Sequence, residues 1–386
     1  MTDPTTYRTL FADIPAATQA PSTRGTGVFA DVALRELIAT NQILADEPIG
    51  EDQIQPASID LRLGRYAYRV RASFLPGDRT VMDKLGSFTM HRIDLEGGAV
   101  LERGCVYIVP LMERVQLQAG ISGLTNPKSS TGRLDIFTRV IVDRATSFDK
   151  IESGYGGPLF LEVAPRTFSV LVRPGTRFSQ IRFQRGSDIA TGAKLRDLHK
   201  RVRLIGGVPG EPVFREGLVG VTVDLEGDRE TGLVGYRAKK HSDVIDVERR
   251  NHYEVQDFWE PIRTRAQRLI LDPDDFYILV TREAVTIPPD HAAEMIAYDT
   301  MVGEFRVHYA GFFDPGFGHG GDGEGSRAVL EVRSHEVPFL LEHGQTVGWL
   351  RYERLTAPPA RLYGSTAGSN YQRQGLQLAK QFKRPT

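Results

Sequence analysis

Two stretches of the chain resemble each other, and that repeat limits the possible folds more than any other feature. Gly157-Pro-Leu-Phe-Leu-Glu-Val-Ala-Pro-Arg-Thr-Phe-Ser-Val-Leu-Val-Arg-Pro-Gly175 matches Arg327-Ala-Val-Leu-Glu-Val-Arg-Ser-His-Glu-Val-Pro-Phe-Leu-Leu-Glu-His-Gly344 in pattern. Glu162 against Glu331, Gly175 against Gly344 and Phe183 against Tyr352 all fall at one constant spacing, and Tyr107-Ile-Val-Pro against Tyr277-Ile-Leu-Val is one residue off it. Such a spacing points to two copies of one unit. Runs such as Ser58-Ile-Asp-Leu-Arg-Leu and Phe168-Ser-Val-Leu-Val-Arg alternate with period two between Gly and Pro turns. That is the pattern of antiparallel strands in a barrel or sandwich. Helices are expected to be few and short: Phe29 to Thr40, with Asp31 near its start, and His291 to Ala297.

The repeat divides the 386 residues into a mobile N-terminal arm (1–26), a first unit (27–190), a connector (191–212) and a second unit (213–386). Composition then excludes several classes. A formal net charge of −1 gives no global field for a nucleic-acid backbone, so an anionic ligand needs local groups. One cysteine, Cys105, cannot build a disulfide framework or a multi-cysteine zinc site, and fits a cytoplasmic protein. No apolar run approaches membrane-spanning length, so no membrane partner is expected.

The densest chemistry lies in Asn126-Pro-Lys-Ser-Ser-Thr-Gly-Arg133. Small residues expose backbone N–H groups, hydroxyls donate, and an arginine fork matches phosphate oxygens. The plain alternative is a solvated turn before a helix. The spacing is not that of a Walker loop. The equivalent stretch of the second unit, 297–303, has lost the serines and the arginine. Glu162 and Glu331 each follow an apolar run inside a strand, where a carboxylate is costly unless paired or working. Burial would raise its pKa toward that of a general base; alternation could equally turn it to solvent. Asp314, in Phe313-Asp-Pro-Gly-Phe317, has Glu152 as its counterpart. Asp143, Arg144 and His308 read as structural.

Gln55-Pro-Ala-Ser-Ile-Asp-Leu-Arg-Leu-Gly64, Lys128-Ser-Ser-Thr-Gly-Arg133, Phe313-Asp-Pro-Gly-Phe317 and Val329-Leu-Glu331 together resemble the motifs of the dCTP deaminases, in their long two-unit bacterial form. Tyr363, Tyr371 and Gln374 resemble that family's C-terminal tail motif, with Asn370 where the family usually has lysine. The resemblance implies a mainly β chain of tandem dUTPase-like β-barrel or jelly-roll units with few short helices. It implies hydrolytic deamination of dCTP to dUTP and ammonia without zinc, with Mg2+ accompanying the triphosphate. A strand glutamate (Glu331, or Glu162) would activate water, assisted by Ser129 and Arg133. Lys128, Ser130, Thr131, Gly132, Val329, Tyr363, Asn370 and Gln374 would hold the nucleotide, Asp314 the 3′-hydroxyl, and Phe317 would crowd the 2′ position.

In that family the phosphate motif and the strand glutamate of one site come from different subunits. Here the better phosphate motif is in the first unit and the better Asp-Pro-Gly and Leu-Glu motifs in the second. The expectation is therefore one composite site, with Ser129, Ser130 and Arg133 facing Asp314 and Glu331, and Glu162 a relic. Expected partners are dCTP, dTTP as an inhibitor, and further copies of the chain as a trimer or dimer. A dUTPase or bifunctional deaminase–diphosphatase, and a non-catalytic nucleotide-binding regulator, are the competing readings.

Overall fold

The computed structural model describes residues 25–297, 305–307, 311–320, 325–334, 336–365 and 375–384. The expected N-terminal arm and the stretch 298–303 lie almost wholly outside them, as do His308, Asn370, Tyr371 and Gln374.

The chain is mainly β, and each half folds as two facing sheets. In the first half Gly156–Pro165 lies between Val106–Gln116 and Ile136–Val142 in one sheet. Arg177–Arg185 lies between Ile121–Pro127 and the pair Ile59–Arg62 and Gly27–Val28 in the other. Alternate residues of both sheets, among them Val109, Leu161, Val163, Ile59, Ile181 and Phe183, meet in one apolar core. The second half repeats the layout. Ser326–Ser334 lies between Phe276–Val285 and Phe305–Val307, and Thr346–Arg354 between Leu218–Thr222 and His291–Ala297. The two strand glutamates occupy the same register, Glu162 opposite Ile108 and Glu331 opposite Ile278.

The halves interlock. Val170–Val172 of the first pairs in parallel with Ile245–Asp246 of the second. Phe258, Trp259, Phe276 and Phe382 of the second half complete the core of the first. Trp259 is fully buried, with its ring centroid 5.5 Å from Phe168 and 5.9 Å from Phe382. Each fully buried large apolar side chain contributes about 1.5–3 kcal/mol. The halves are also bound by a buried ion pair between Arg333 and Asp135, in which Arg333 Nε lies 3.1 Å from Asp135 Oδ2.

Three expectations change. The connector is structured: Gly192–Val202 is a helix that buries Leu195 and Leu198, and Ile205–Gly206 pairs with Ala284 and Val285. These residues belong to the core of the second half. His291–Ala297 is a strand rather than a helix, because it is clamped in the sheet between Thr346–Arg354 and Phe312–Phe313. The alternating strand Ile59–Arg62 shows no solvent face; all four residues are buried, with Arg62 Nε 2.7 Å from the buried Glu113. A helix not anticipated, Val81–Phe88, starts with a capping box between Thr80 and Asp83. Asp143 accepts from Val81 N at its first turn (2.8 Å), a structural role.

Candidate active site

A cavity of about 490 Å³ lies where the two halves meet. Its first-half wall carries Asp60, Lys128, Ser129, Ser130, Arg133, Arg177 and Gln180; its second-half wall carries Asp314, Phe317, Val329, Glu331, Tyr363 and Lys380. The residues expected to face one another across the halves thus share one space.

The first wall is shaped by a short helix, Ser129–Gly132, whose flanking Lys128 N donates to Phe178 O at 2.9 Å. Thr131 and Gly132 sit on the inner side of this turn and do not line the cavity. The Thr131 hydroxyl donates to Phe178 O at 2.8 Å, and Gly132 N donates to Lys128 O at 3.0 Å. Both residues, expected to touch a ligand, hold the turn, and Thr131 also borders a smaller cavity adjoining this one. Ser129 is exposed and Ser130 buried, so the two hydroxyls differ in their access to solvent.

Glu331 comes from the middle of its strand and is 4% exposed. Burial pushes its carboxyl up to about 8, against the opposing pull of Arg133, whose Nε lies 3.9 Å from Glu331 Oε1. Arg133 is itself buried and donates from Nη1 to Gln377 O at 2.9 Å, which ties it to the C-terminal segment. Asp314 is buried too, and burial raises its pKa while Arg182 at 3.4 Å opposes the rise. Arg182 is anchored by Ala293 O (3.1 Å) and by the Phe312 ring (4.1 Å). The Asp314 turn closes on Phe317, which packs against Phe313 and Tyr363 with centroids 5.1 and 5.7 Å apart.

Glu162 is elsewhere. It is buried, but Arg139 donates to its Oε1 from Nε at 3.0 Å and from Nη2 at 2.6 Å. Phe148 lies under that guanidinium at 3.6 Å. Glu162 is absent from the cavity lining, so the alternative that it serves this site gives way to a structural ion pair. Glu152 is exposed in a turn, with its carbonyl accepting from Tyr155 N at 3.1 Å.

Sequence reasoning missed Asp60, Arg177, Arg182, Arg250, Arg361 and Lys380. Asp60 forms an ion pair with Lys128 and lies 3.8 Å from Arg177. It stands inside the quoted signature Ser58-Ile-Asp-Leu-Arg. Arg182 is a charge inside a strand, the same signal that drew attention to Glu162. Lys380 and Arg250 carried no local signal, because only the fold of the C-terminal segment brings them to the cavity. No helix among the described residues is long and apolar enough to cross a membrane.

The family profile described as "2'-deoxycytidine 5'-triphosphate deaminase (DCD) N-terminal domain" matches residues 25–187. The profile for the corresponding C-terminal domain matches residues 191–382. The crystal structure of 2′-deoxycytidine 5′-triphosphate deaminase from Agrobacterium tumefaciens is similar with a TM-score of 0.85 and 56% identity, covering 89% of this chain and 99% of that one. A protein of Beutenbergia cavernae named "dCTP deaminase, dUMP-forming" is 35% identical over 28% of this chain and 55% of its own length. A "dCTP deaminase" of Haloarcula marismortui is 30% identical over 36% of this chain and 71% of its own. The chain spans little more than half the length of the first curated relatives it matches.

Proposed function

The chain belongs to the 2′-deoxycytidine 5′-triphosphate deaminase family, and from that premise we propose that it converts dCTP and water to dUTP and ammonia in the cytoplasm. The observation that carries the reading is a buried glutamate, with its pKa raised to about 8, sharing a cavity with a cationic wall. A carboxyl in that range can both take and return a proton near neutral pH. Glu331 accepts a proton from water, and the hydroxide adds to C4 of cytosine. That proton passes from Glu331 to N3, the proton of the new C4 hydroxyl passes to N4, the C4–N4 bond breaks with loss of ammonia, and the base is left as uracil. Arg133 and Ser129 hold the water and the developing charge. Asp314, braced by Arg182, accepts from the 3′-hydroxyl, and Phe317 with Tyr363 packs on the sugar. Val329 borders the base.

The base in this scheme is a carboxylate and the reaction asks for no zinc. Among the described residues no group of three or more His, Cys, Asp or Glu side chains converges as a metal site. Mg2+ would enter with the triphosphate, whose own phosphate oxygens would supply most of its ligands. Inhibition by dTTP, which shares the sugar and triphosphate, and assembly of several copies are part of the same proposal.

Incubation with dCTP and separation of products tests the reading. Ammonia with dUTP supports it, and absence of ammonia sinks it. The four first relatives are named dUMP-forming, which favours a second reading in which the chain also removes diphosphate. Ammonia with dUMP would select that one.

A further inference from the structure

The cavity wall holds two cations that its carboxylates do not neutralise. Lys128 pairs with Asp60, Arg177 with Asp52 at 2.8 Å, and Arg361 with Glu51 at 3.3 Å. Arg250 and Lys380 line the same cavity, yet among the described residues no carboxylate lies within ion-pair distance of either. They also border both smaller cavities that adjoin it, and so sit at the mouth where the three spaces meet.

Their positions are fixed by the fold. Residues 251–253 and 380–383 are clipped together: Asn251 N donates to Lys380 O at 2.9 Å, His252 N to Gln381 O at 2.8 Å, and Lys383 N to Tyr253 O at 2.9 Å. Gln381 Nε2 donates to Val247 O at 2.7 Å, and Phe382 packs against Phe258 with centroids 5.5 Å apart. The backbone therefore holds two like charges side by side. Burial, with repulsion from Lys128 and Arg250, pulls the Lys380 ammonium down to about 8. An arrangement of this kind is relieved by an anion bridging the pair.

We propose that Arg250 and Lys380 form a preformed subsite for the outer phosphates of the nucleotide, built by the second half beside the first-half phosphate turn. The ligand named here rests on the deaminase reading; the geometry asks only for a polyphosphate. The charged groups around Lys380 are Lys128, Arg177 and Arg250 on one side of the balance and Asp52, Asp60 and Glu248 on the other. A bound polyphosphate joins the second group and favours the charged ammonium, so binding takes up a proton near pH 8 and weakens as pH rises.

The probe is inorganic tripolyphosphate, followed by calorimetry with the full chain. Lys380→Met and Arg250→Met should each weaken it about tenfold or more, with an unchanged melting temperature showing that the fold survives. Lys380→Arg should keep the affinity and lose the weakening between about pH 7 and 9. Unaltered affinity in both Met variants overturns the proposal, as does an Arg variant that keeps the wild-type pH dependence. The two readings separate cleanly. Lys380-dependent binding without ammonia release from dCTP would leave the subsite and remove the deaminase. Ammonia release with a KM for dCTP unmoved by Lys380→Met would do the reverse.

Discussion

At residue scale, Glu331 and Glu162 stand at one register in two similar strands, and their surroundings separate them. Arg139 meets Glu162 with two short contacts, whereas Arg133 stands 3.9 Å from Glu331 and leaves burial in control of its pKa. Glu331→Gln should lower kcat by about 10²–10⁴, the usual range for a lost general base, in an ammonia-release assay. The same variant should melt higher than wild type at pH 8. The native carboxyl near 8 keeps a proton that the unfolded one, near 4.5, has lost, so stability falls as pH rises between those values and the amide escapes that penalty. A Tm gain of about 1 °C per kcal/mol is the scale to look for in one cooperative unit of this length. Wild-type kcat/KM should rise toward pH 8 as Glu331 ionises. Glu162→Gln should retain turnover within about twofold and lose roughly 1–3 kcal/mol in denaturant unfolding, because Arg139 is only partly exposed and water softens the loss. An inactive Glu162 variant beside an active Glu331 variant would reverse the assignment.

Among elements, the turn Asp314–Gly318 does the most to shape the cavity. Gly316 has φ +93°, and a Cβ there would stand 2.8 Å from Leu362 Cβ and 3.0 Å from Tyr363 N. Gly316→Ala should therefore cost about 1–3 kcal/mol and depress activity further by displacing Tyr363 from Phe317. Phe317→Ala should admit CTP, measured as a fall in the dCTP-to-CTP ratio of kcat/KM. What the sequence disclosed of such elements depended on where their information lies. The central strands were legible because period-two alternation is local, and the turn at 128–133 because its polar residues are consecutive. His291–Ala297 misled because an Ala-rich run with Glu and Met favours helix by propensity, while two neighbouring strands impose extension. The helix Gly192–Val202 hid in a basic stretch with only two buried leucines. Composite siting of Glu331 with Arg133 was readable from unequal motifs, but Arg182, Arg250 and Lys380 acquire meaning only through contacts distant in sequence.

On the scale of the whole molecule, the halves share a core and cannot be separated without exposing it. Asp135→Asn should destabilise the chain by about 3–5 kcal/mol, because Arg333 would keep its buried guanidinium without its counter-charge. Unfolding followed by tryptophan fluorescence, with Trp259 in the first core and Trp349 in the second half, should show one coincident transition rather than two. Residues 25–187 expressed alone should bind the dye ANS, since Trp259, Phe276 and Phe382 would no longer cover their core. The cavity between the halves has a further consequence for dilution. Both of its walls are on one polypeptide, so their encounter is intramolecular, at an effective concentration set by the tether rather than by the amount of protein in the tube. Specific activity should then hold constant as the enzyme is diluted, even through concentrations at which any assembly of chains falls apart.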